Sequence, residues 1–259
     1  MPQLTIITIT YNAEKYLGRT LQSVATAARL VPGVADSIEY ILIDGASTDG
    51  TLQVAERYSL ILNRIMSEPD RGLYDAMNKG LSLATGEYVW FLNAGDEVHD
   101  GQVLSRLLHA FESQADVYYS DALFVRTDGE AVGLRSEVTP HTLPKKIHWQ
   151  DFALGMKISH QAFIVRRTIA PSYDITNLSA DIDWEILCLK KSKKTEYLPF
   201  VLCRYLVGGL STQQHHRSLK DRFKVLQKHF GLLPTVKNHL RIGWRGIQFL
   251  FYKRRQVEK

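Results

Sequence analysis

The sequence predicts an α/β protein: a doubly wound, mostly parallel sheet with helices on both faces, followed by a basic amphipathic helical segment at the C-terminus. Three observations carry that expectation. Two early segments, "LTIITIT" and "IEYILID", are apolar and β-branched on both faces, as strands buried inside a parallel sheet are. The stretches between such runs place apolar residues at helical spacing. Strands alternating with helices imply βαβ units and hence parallel pairing.

The elements follow in order. "LTIITITYN" (residues 4–12) reads as the first strand, and "EKYLGRTLQSVATAARL" as a helix with Leu17, Leu21, Val24 and Ala28 on one face. "IEYILIDG" is the second strand. "STDGTLQVAERY" is a polar turn feeding a helix, with Asp49 as its expected N-cap. A short strand near "NRIMSE", a helix in "GLYDAMNKGLSLA" and a strand in "GEYVWFL" complete the first half. The second half is less regular: a strand region in "DVYYSDALFV", a turn at Asp128-Gly129, a strand at "HQAFIVRR", a helix at "DIDWEILCLKK" and strands within "EYLPFVLCRYLV". No low-complexity linker divides the halves, so they read as one continuous fold, with a nucleotide half over about residues 1–100 and an acceptor half over 101–212. Residues 213–259 read as an extension.

Composition narrows the class. The 259 residues are 45% hydrophobic and 23% charged, ordinary values that exclude a disordered or fibrous chain. No apolar run approaches the roughly 18–20 residues of a membrane span, and "MPQLTIITIT" lacks the features of a signal peptide, so a cytoplasmic protein is expected. Cys188 and Cys203 show no Cys-x-x-Cys spacing and read as small apolar fillers. Charge is uneven: from His215 onward 12 basic residues face 2 acidic ones, leaving 20 basic against 25 acidic upstream. The two parts therefore face different partners.

Ligands of open parallel sheets bind beyond the carboxyl ends of the strands. Thr10, Tyr11 and Asn12 end the first strand, Asp44 ends the second, and Asn93 and Asp96 follow "YVWFL". A carboxylate at the end of a buried strand is either a turn residue or a delivered ligand. The nicotinamide oxidoreductases share this alternation but need Gly-x-Gly-x-x-Gly after the first strand, where this chain has "TYNAEKY".

The motifs "TITYN", "IDGASTDGT", "SEPDRGLYDAMNKGLSLATGEYVWFLNAGD", "SHQAF", "SADIDW" and "GGLS", in that order, resemble the family 2 glycosyltransferases with a GT-A fold. Within that family they resemble the bacterial exopolysaccharide enzymes of colanic acid type. The resemblance implies an inverting, metal-dependent transferase that uses a nucleotide-sugar donor, UDP-linked by preference, and a glycan or lipid-linked acceptor. It sets Asp96 as ligand of a divalent Mn2+ or Mg2+ ion held against the donor diphosphate, with Asn93 standing where a further carboxylate is common. It sets Tyr11 against the base and Asp44 as acceptor from uracil N–H. Arg71 and Lys79 would meet phosphate and Asp75 the ribose or sugar, with surface pairing as the alternative for each. Asp181 matches the catalytic base, and Asp183, two residues on, is the competitor or a helix cap. His160 either lines the acceptor cleft or is a hydrogen-bonded core histidine. In "GGLS", residues 208–211, the backbone either approaches a ligand or simply turns.

In the tail, Val236, Leu240, Trp244, Ile247 and Phe251 recur at helical spacing beside Lys237, Arg241 and Arg245. Such a helix lies either on the catalytic domain or in an anionic membrane surface, the inner face of the plasma membrane being the expected place. No nucleic-acid motif accompanies the basic residues. A degenerate transferase serving as a membrane-associated scaffold is the non-enzymatic alternative, kept open by Asn93.

Overall fold

The computed structural model describes residues 1–30, 32–208 and 215–257, with the side chains at 215 and 250–257 outside that description. Strands β1 (Leu4–Thr10) and β2 (Ile38–Asp44) pair in parallel, with Thr10 opposite Asp44 at their carboxyl ends. Helix α1 (Glu14–Arg29) joins them and buries Leu17, Leu21 and Val24, each worth about 1.5–3 kcal/mol relative to exposure. Helix α2 (Thr51–Glu56) leads to β3 (Arg64–Ser67), and α3 (Leu73–Leu83) crosses back to β4 (Tyr88–Phe91). After β5 (Glu97–Val98), α4 (Val103–Ala110) precedes β6 (Val117–Tyr119), β7 (Ala122–Val125), β8 (Ala131–Leu134) and α5 (Arg135–Val138). Then come β9 (Phe163–Arg166), α6 (Ala180–Lys191), β10 (Thr195–Tyr197) and β11 (Cys203–Leu206).

The main sheet runs β10-β6-β9-β4-β1-β2-β3. The chain moves one way from β1 to β3 and then returns to the other side of β1 for β4. With right-handed crossovers, that reversal puts α1 and α2 on one face and α3 on the other, as expected for a doubly wound sheet. It also creates a switch point between β1 and β4, the place where open parallel sheets bind their ligands. Cys188 and Cys203 are buried, unpaired fillers.

The second half departs from the expected pattern. The "HQAFIVRR" strand is shorter than expected, because His160–Ala162 form a 3-10 turn before β9, and β9 runs antiparallel to both β4 and β6. Strands β7 and β11 fall within stretches the sequence reads as strands, but they join β5 and β8 in a separate small sheet, β5-β11-β7-β8, and not the main one. Its strands span two to four residues, too few for periodicity to register. The first strand stops at Thr10, and Asn12 takes a left-handed φ of 46° outside it.

The C-terminal segment forms α7 (His215–Phe230) and α8 (Leu232–Val257). Within α7, Val225 and Leu226 are buried, Asp221 accepts from the Leu178 N–H at 3.1 Å, and Ser179 donates to the Ser218 carbonyl. Helix α7 therefore packs on the segment that leads into α6. The boundary expected at residue 212 lies outside the described residues.

Candidate active site

The strand ends do converge. Asn12, in its left-handed conformation, accepts from the Thr48 N–H at 2.9 Å through Oδ1, and its own N–H donates to Ser47. These bonds lock the β1 loop to the β2 loop. Asp49 accepts from the N–H groups of Thr51 and Glu14, so its capping role extends to the first residues of both α1 and α2. Asp44 is fully buried and takes bonds from Ser47 and from Ser67, whose hydroxyl lies 2.7 Å away. A carboxylate has about four acceptor positions, so one remains for a ligand N–H. Tyr11, at the end of the neighbouring strand, is 65% exposed. Gly45 sits between them: a Cβ there would stand 2.4 Å from Asp70 Oδ2 and 3.4 Å from the Tyr11 ring. The Thr10 hydroxyl is buried without a partner.

Beyond β4, the Asp96 N–H bonds to the Asn93 carbonyl in a tight turn, with Gly95 at φ 102°. A side chain at Gly95 would meet Leu206 Cδ2 at 2.8 Å, so the turn needs glycine both for its φ and for its space. Asp96 is 3% exposed and accepts from the Leu206 N–H at 2.9 Å. Burial drives its pKa up to about 7, against hydrogen bonds from Leu206 and Gln161 and the charge of Arg19. The Asn93 Oδ1 is buried with no hydrogen-bond donor. These two hard oxygens fit a divalent cation that takes its remaining ligands from substrate phosphates and water. Among the described residues no cluster of three or more His, Cys, Asp or Glu forms a protein-only cage.

Arg71, Asp75 and Lys79 are engaged in pairing with their neighbours. Arg71 Nη2 lies 2.8 Å from Asp75 Oδ1, and Lys79 bonds to the Pro69 carbonyl and to Glu68. Asp75, nearly buried, also caps its own loop through the Arg71 N–H.

The two candidate bases separate clearly. Asp183 points away to α7: Lys228 Nζ lies 2.8 and 2.9 Å from its oxygens, and His229 Nε2 lies 2.5 Å from Oδ1. Burial opposes its charge, but His229 and Lys228 outweigh that and hold its pKa below the usual carboxylate value. It is neither a cap nor available to a substrate; it clamps α6 to α7. Asp181, one face round in the first turn of α6, accepts from the Ile182 N–H and has no cation within ion-pair distance among the described residues. Burial raises its pKa, against the Ile182 N–H, Arg222 and the Tyr74 hydroxyl. We expect Asp183→Asn to lower stability by about 1–3 kcal/mol in denaturant melts while turnover stays within a few-fold of wild type. Because the Asp183 pKa is lowered on folding, its contribution is present above the ordinary aspartate pKa and is lost as pH falls through the lowered one.

His160 is a core histidine and not a cleft residue. It is 5% exposed, stacks on Phe91 and bonds through Nε2 to the Tyr173 hydroxyl at 3.0 Å. Burial pulls its pKa down to about 3, so it is neutral at working pH. Three residues near the site were not anticipated. Gln161 supports the Asp96 carboxyl. Tyr205, on β11, feels the charges of both Asp96 and Asp181, and burial together with those charges pushes its pKa up to about 12. Glu185, one turn after Asp181, is fully buried with both oxygens unpartnered and lies 3.5 Å from His160 Nδ1. The neighbour of the Gln161–Asp96 contact could have been sought in the "SHQAF" motif; Tyr205 carries no sequence signal. Of the "GGLS" stretch, residues 209–211 lie outside the described residues.

A doubly wound sheet that switches direction between β1 and β4 and presents polar strand ends on one edge is the architecture of GT-A glycosyltransferases. The chain belongs to the family described as Glycosyl transferase family 2, whose model matches residues 5–170. It is 32% identical over 228 residues to the PGL/p-HBAD biosynthesis glycosyltransferase of Mycobacterium bovis (strain BCG / Pasteur 1173P2), covering 81% of this chain and 79% of that one. Its fold is similar to that of S. aureus TarS 1-349 in complex with UDP-GlcNAc, with a TM-score of 0.69 at 20% identity over 87% of this chain and 64% of that one. It is also similar to the mannosyltransferase PcManGT from Pyrobaculum calidifontis in complex with GDP-Man and Mn2+, with a TM-score of 0.65 at 16% identity over 94% and 72% of the two chains.

Proposed function

We propose that this glycosyltransferase moves a sugar, with inversion, from a nucleotide-diphosphate donor to a hydroxyl of a glycan or lipid-linked acceptor in bacterial exopolysaccharide, capsule or lipopolysaccharide synthesis. The observation that carries the reading is the contrast between Asp181, half-buried in the first turn of α6 with no cation partner among the described residues, and Asp183, committed to Lys228 and His229. Asp181 takes the proton of the acceptor hydroxyl as its oxygen bonds to the anomeric carbon, while the bond from that carbon to the diphosphate oxygen breaks on the opposite face and the nucleoside diphosphate departs. A raised carboxylate pKa makes Asp181 a stronger base. Tyr11 stacks on the base and Asp44 accepts the uracil N–H, which favours UDP; the TarS complex with UDP-GlcNAc is consistent with that choice. Thr10 and Asn12 border the nucleotide, and Arg71, Asp75 and Lys79 exchange their present partners for donor phosphate and ribose. Asp96 and Asn93 would hold a divalent cation, which would supply positive charge beside the leaving diphosphate.

A donor panel read by thermal shift, with Mn2+ or Mg2+ present, tests the proposal. UDP-sugars should raise the melting temperature more than GDP-sugars, and the stabilising donor should then release its nucleoside diphosphate when acceptor is added. Stabilisation by GDP-sugars alone would remove the uridine assignment.

The tail supports a peripheral site of action. Helix α8 packs through Thr235, through the His239 ring against Phe223, and through Arg245, which donates to the Pro140 carbonyl. Its apolar stripe faces outward instead, with Leu240 74% and Trp244 62% exposed next to exposed Lys237 and Arg241. No helix among the described residues is long and apolar enough to cross a membrane. An exposed amphipathic face with Trp, Leu and basic residues suits the surface of an anionic bilayer. Leu240→Asp combined with Trp244→Asp should abolish sedimentation with anionic vesicles at an unchanged melting temperature, and raised salt should weaken wild-type binding. Vesicle binding that ignores both changes would contradict it.

A further inference from the structure

Helix α3 and the turn before it carry two neighbouring rows of side chains. Arg71, Asp75 and Lys79, the candidate donor contacts, recur every four residues, and Tyr74 and Asn78, each one position earlier than Asp75 and Lys79, form the adjacent row. The second row reaches across to the segment that leads into α6. Asn78 makes both bonds that a backbone partner would make: its Nδ2 donates to the Tyr173 carbonyl at 3.0 Å, and its Oδ1 accepts from the Tyr173 N–H at 2.7 Å. The Tyr74 hydroxyl donates to the Leu178 carbonyl at 3.1 Å, and its ring stacks on that of Tyr173 with centroids 5.6 Å apart.

These contacts end at the candidate base. The Tyr173 ring stacks in turn on Trp184 of α6 at 4.9 Å, and the Trp184 indole N–H donates to the Pro171 carbonyl at 2.7 Å. The Leu178 peptide is held from both sides, its carbonyl by Tyr74 of α3 and its N–H by Asp221 of α7 at 3.1 Å. Asp181 follows three residues later, in the first turn of α6. Tyr74 and Tyr173 are both buried, so water does not compete for the bonds that fix this turn. The place of Asp181 is therefore set from α3, across 95 to 104 residues of chain, and not by its own loop.

We propose that Tyr74 and Asn78 are positioning residues for transfer, which hold the turn bearing Asp181 in register with the helix bearing the donor contacts, so that the base and the donor keep one fixed geometry. The role rests on the reading of Asp181 as base and of α3 as the donor-side helix. A group that acts on the reacting atoms through another residue moves turnover and leaves donor affinity alone.

The test uses Tyr74→Phe and Asn78→Ala in the full chain, with UDP and Mn2+ as the binding probe and transfer from the UDP-sugar that most raises the melting temperature as the rate. Each variant should bind UDP within about twofold of wild type while kcat falls about 10- to 100-fold, the order of loss when a reacting group is displaced by about 1 Å. Tyr74→Phe keeps the ring stack and carries the test alone if Asn78→Ala does not fold. It should also move the acid limb of kcat/KM upward: burial raises the Asp181 pKa, the Tyr74 hydroxyl is among the groups that oppose the rise, and Tyr173, Glu185, Tyr205 and Arg222 stay in place around it. Because both residues act through Asp181, neither change should slow an Asp181→Asn chain further. A lowered melting temperature with kcat and acid limb unmoved makes the pair a structural staple and overturns the role, and so does a further loss of rate in the Asp181→Asn background. Wild-type turnover by Asp181→Asn removes the base itself, whereas an inactive Asp181→Asn beside a fully active Tyr74→Phe removes the positioning role alone.

Discussion

Asp181→Asn should lower turnover by about 100- to 10,000-fold while the donor binds as in wild type. The carboxamide keeps the size of the side chain and an oxygen for the Ile182 N–H, which lies 2.9 Å from Asp181 Oδ1, but it cannot take the acceptor's proton. Stability should not suffer. Burial raises the Asp181 pKa in the folded chain, so its neutral form is the one the fold favours, and the charged form costs stability as pH rises through that raised value. The same burial sets the pH profile of wild type. The base works deprotonated, so the acid limb of kcat/KM should lie above the ordinary carboxylate range and the rate should fall as pH drops through it. Tyr74, Tyr173, Glu185, Tyr205 and Arg222 are the titratable or charged groups coupled to it. A mutant that loses donor affinity in proportion to rate would place Asp181 in binding instead.

The second large effect is expected at Asp96. Asp96→Asn should remove the Mn2+ dependence of UDP-donor affinity, with a loss of at least the roughly 10- to 100-fold that even outer-sphere partners of metal ligands cost. The amide oxygen can still accept from Leu206, so the β5–β11 connection survives, and removing a carboxylate whose pKa burial has pushed to about 7 relieves the fold of a poorly solvated charge. The melting temperature should therefore hold or rise while the metal response disappears. Calorimetry of UDP binding with and without Mn2+ separates the two quantities. An unchanged metal response in the variant would take Asp96 out of the cation site.

What the sequence discloses follows from range. Strands β1 and β2 are seven-residue apolar runs, long enough for a two-faced burial pattern to identify them, and the strand-end rule then singles out Asp44 and Asp96. The choice between Asp181 and Asp183 was not legible, because it depends on Lys228 and His229, some 45 residues away on a helix whose docking no local pattern reveals. The Asp96–Leu206 bond spans 110 residues and joins strands too short for periodicity. For His160 the motif "SHQAF" leaves cleft and core open, and the aromatic packing of Phe91, Tyr173 and Trp184 favours the core alternative. The tail's amphipathic pattern was legible, yet only the packing of Thr235 and His239 shows which face of α8 turns inward.

In a direct displacement, Asp181 deprotonates the acceptor as the diphosphate leaves from the opposite side, so the anomeric configuration inverts. The anomeric configuration of the transferred sugar, read by proton NMR of the product formed from an α-linked UDP-sugar, tests that geometry most directly. A β-linked product is the predicted result. An α-linked product would mean that configuration is retained, and would contradict a single displacement with Asp181 as its base.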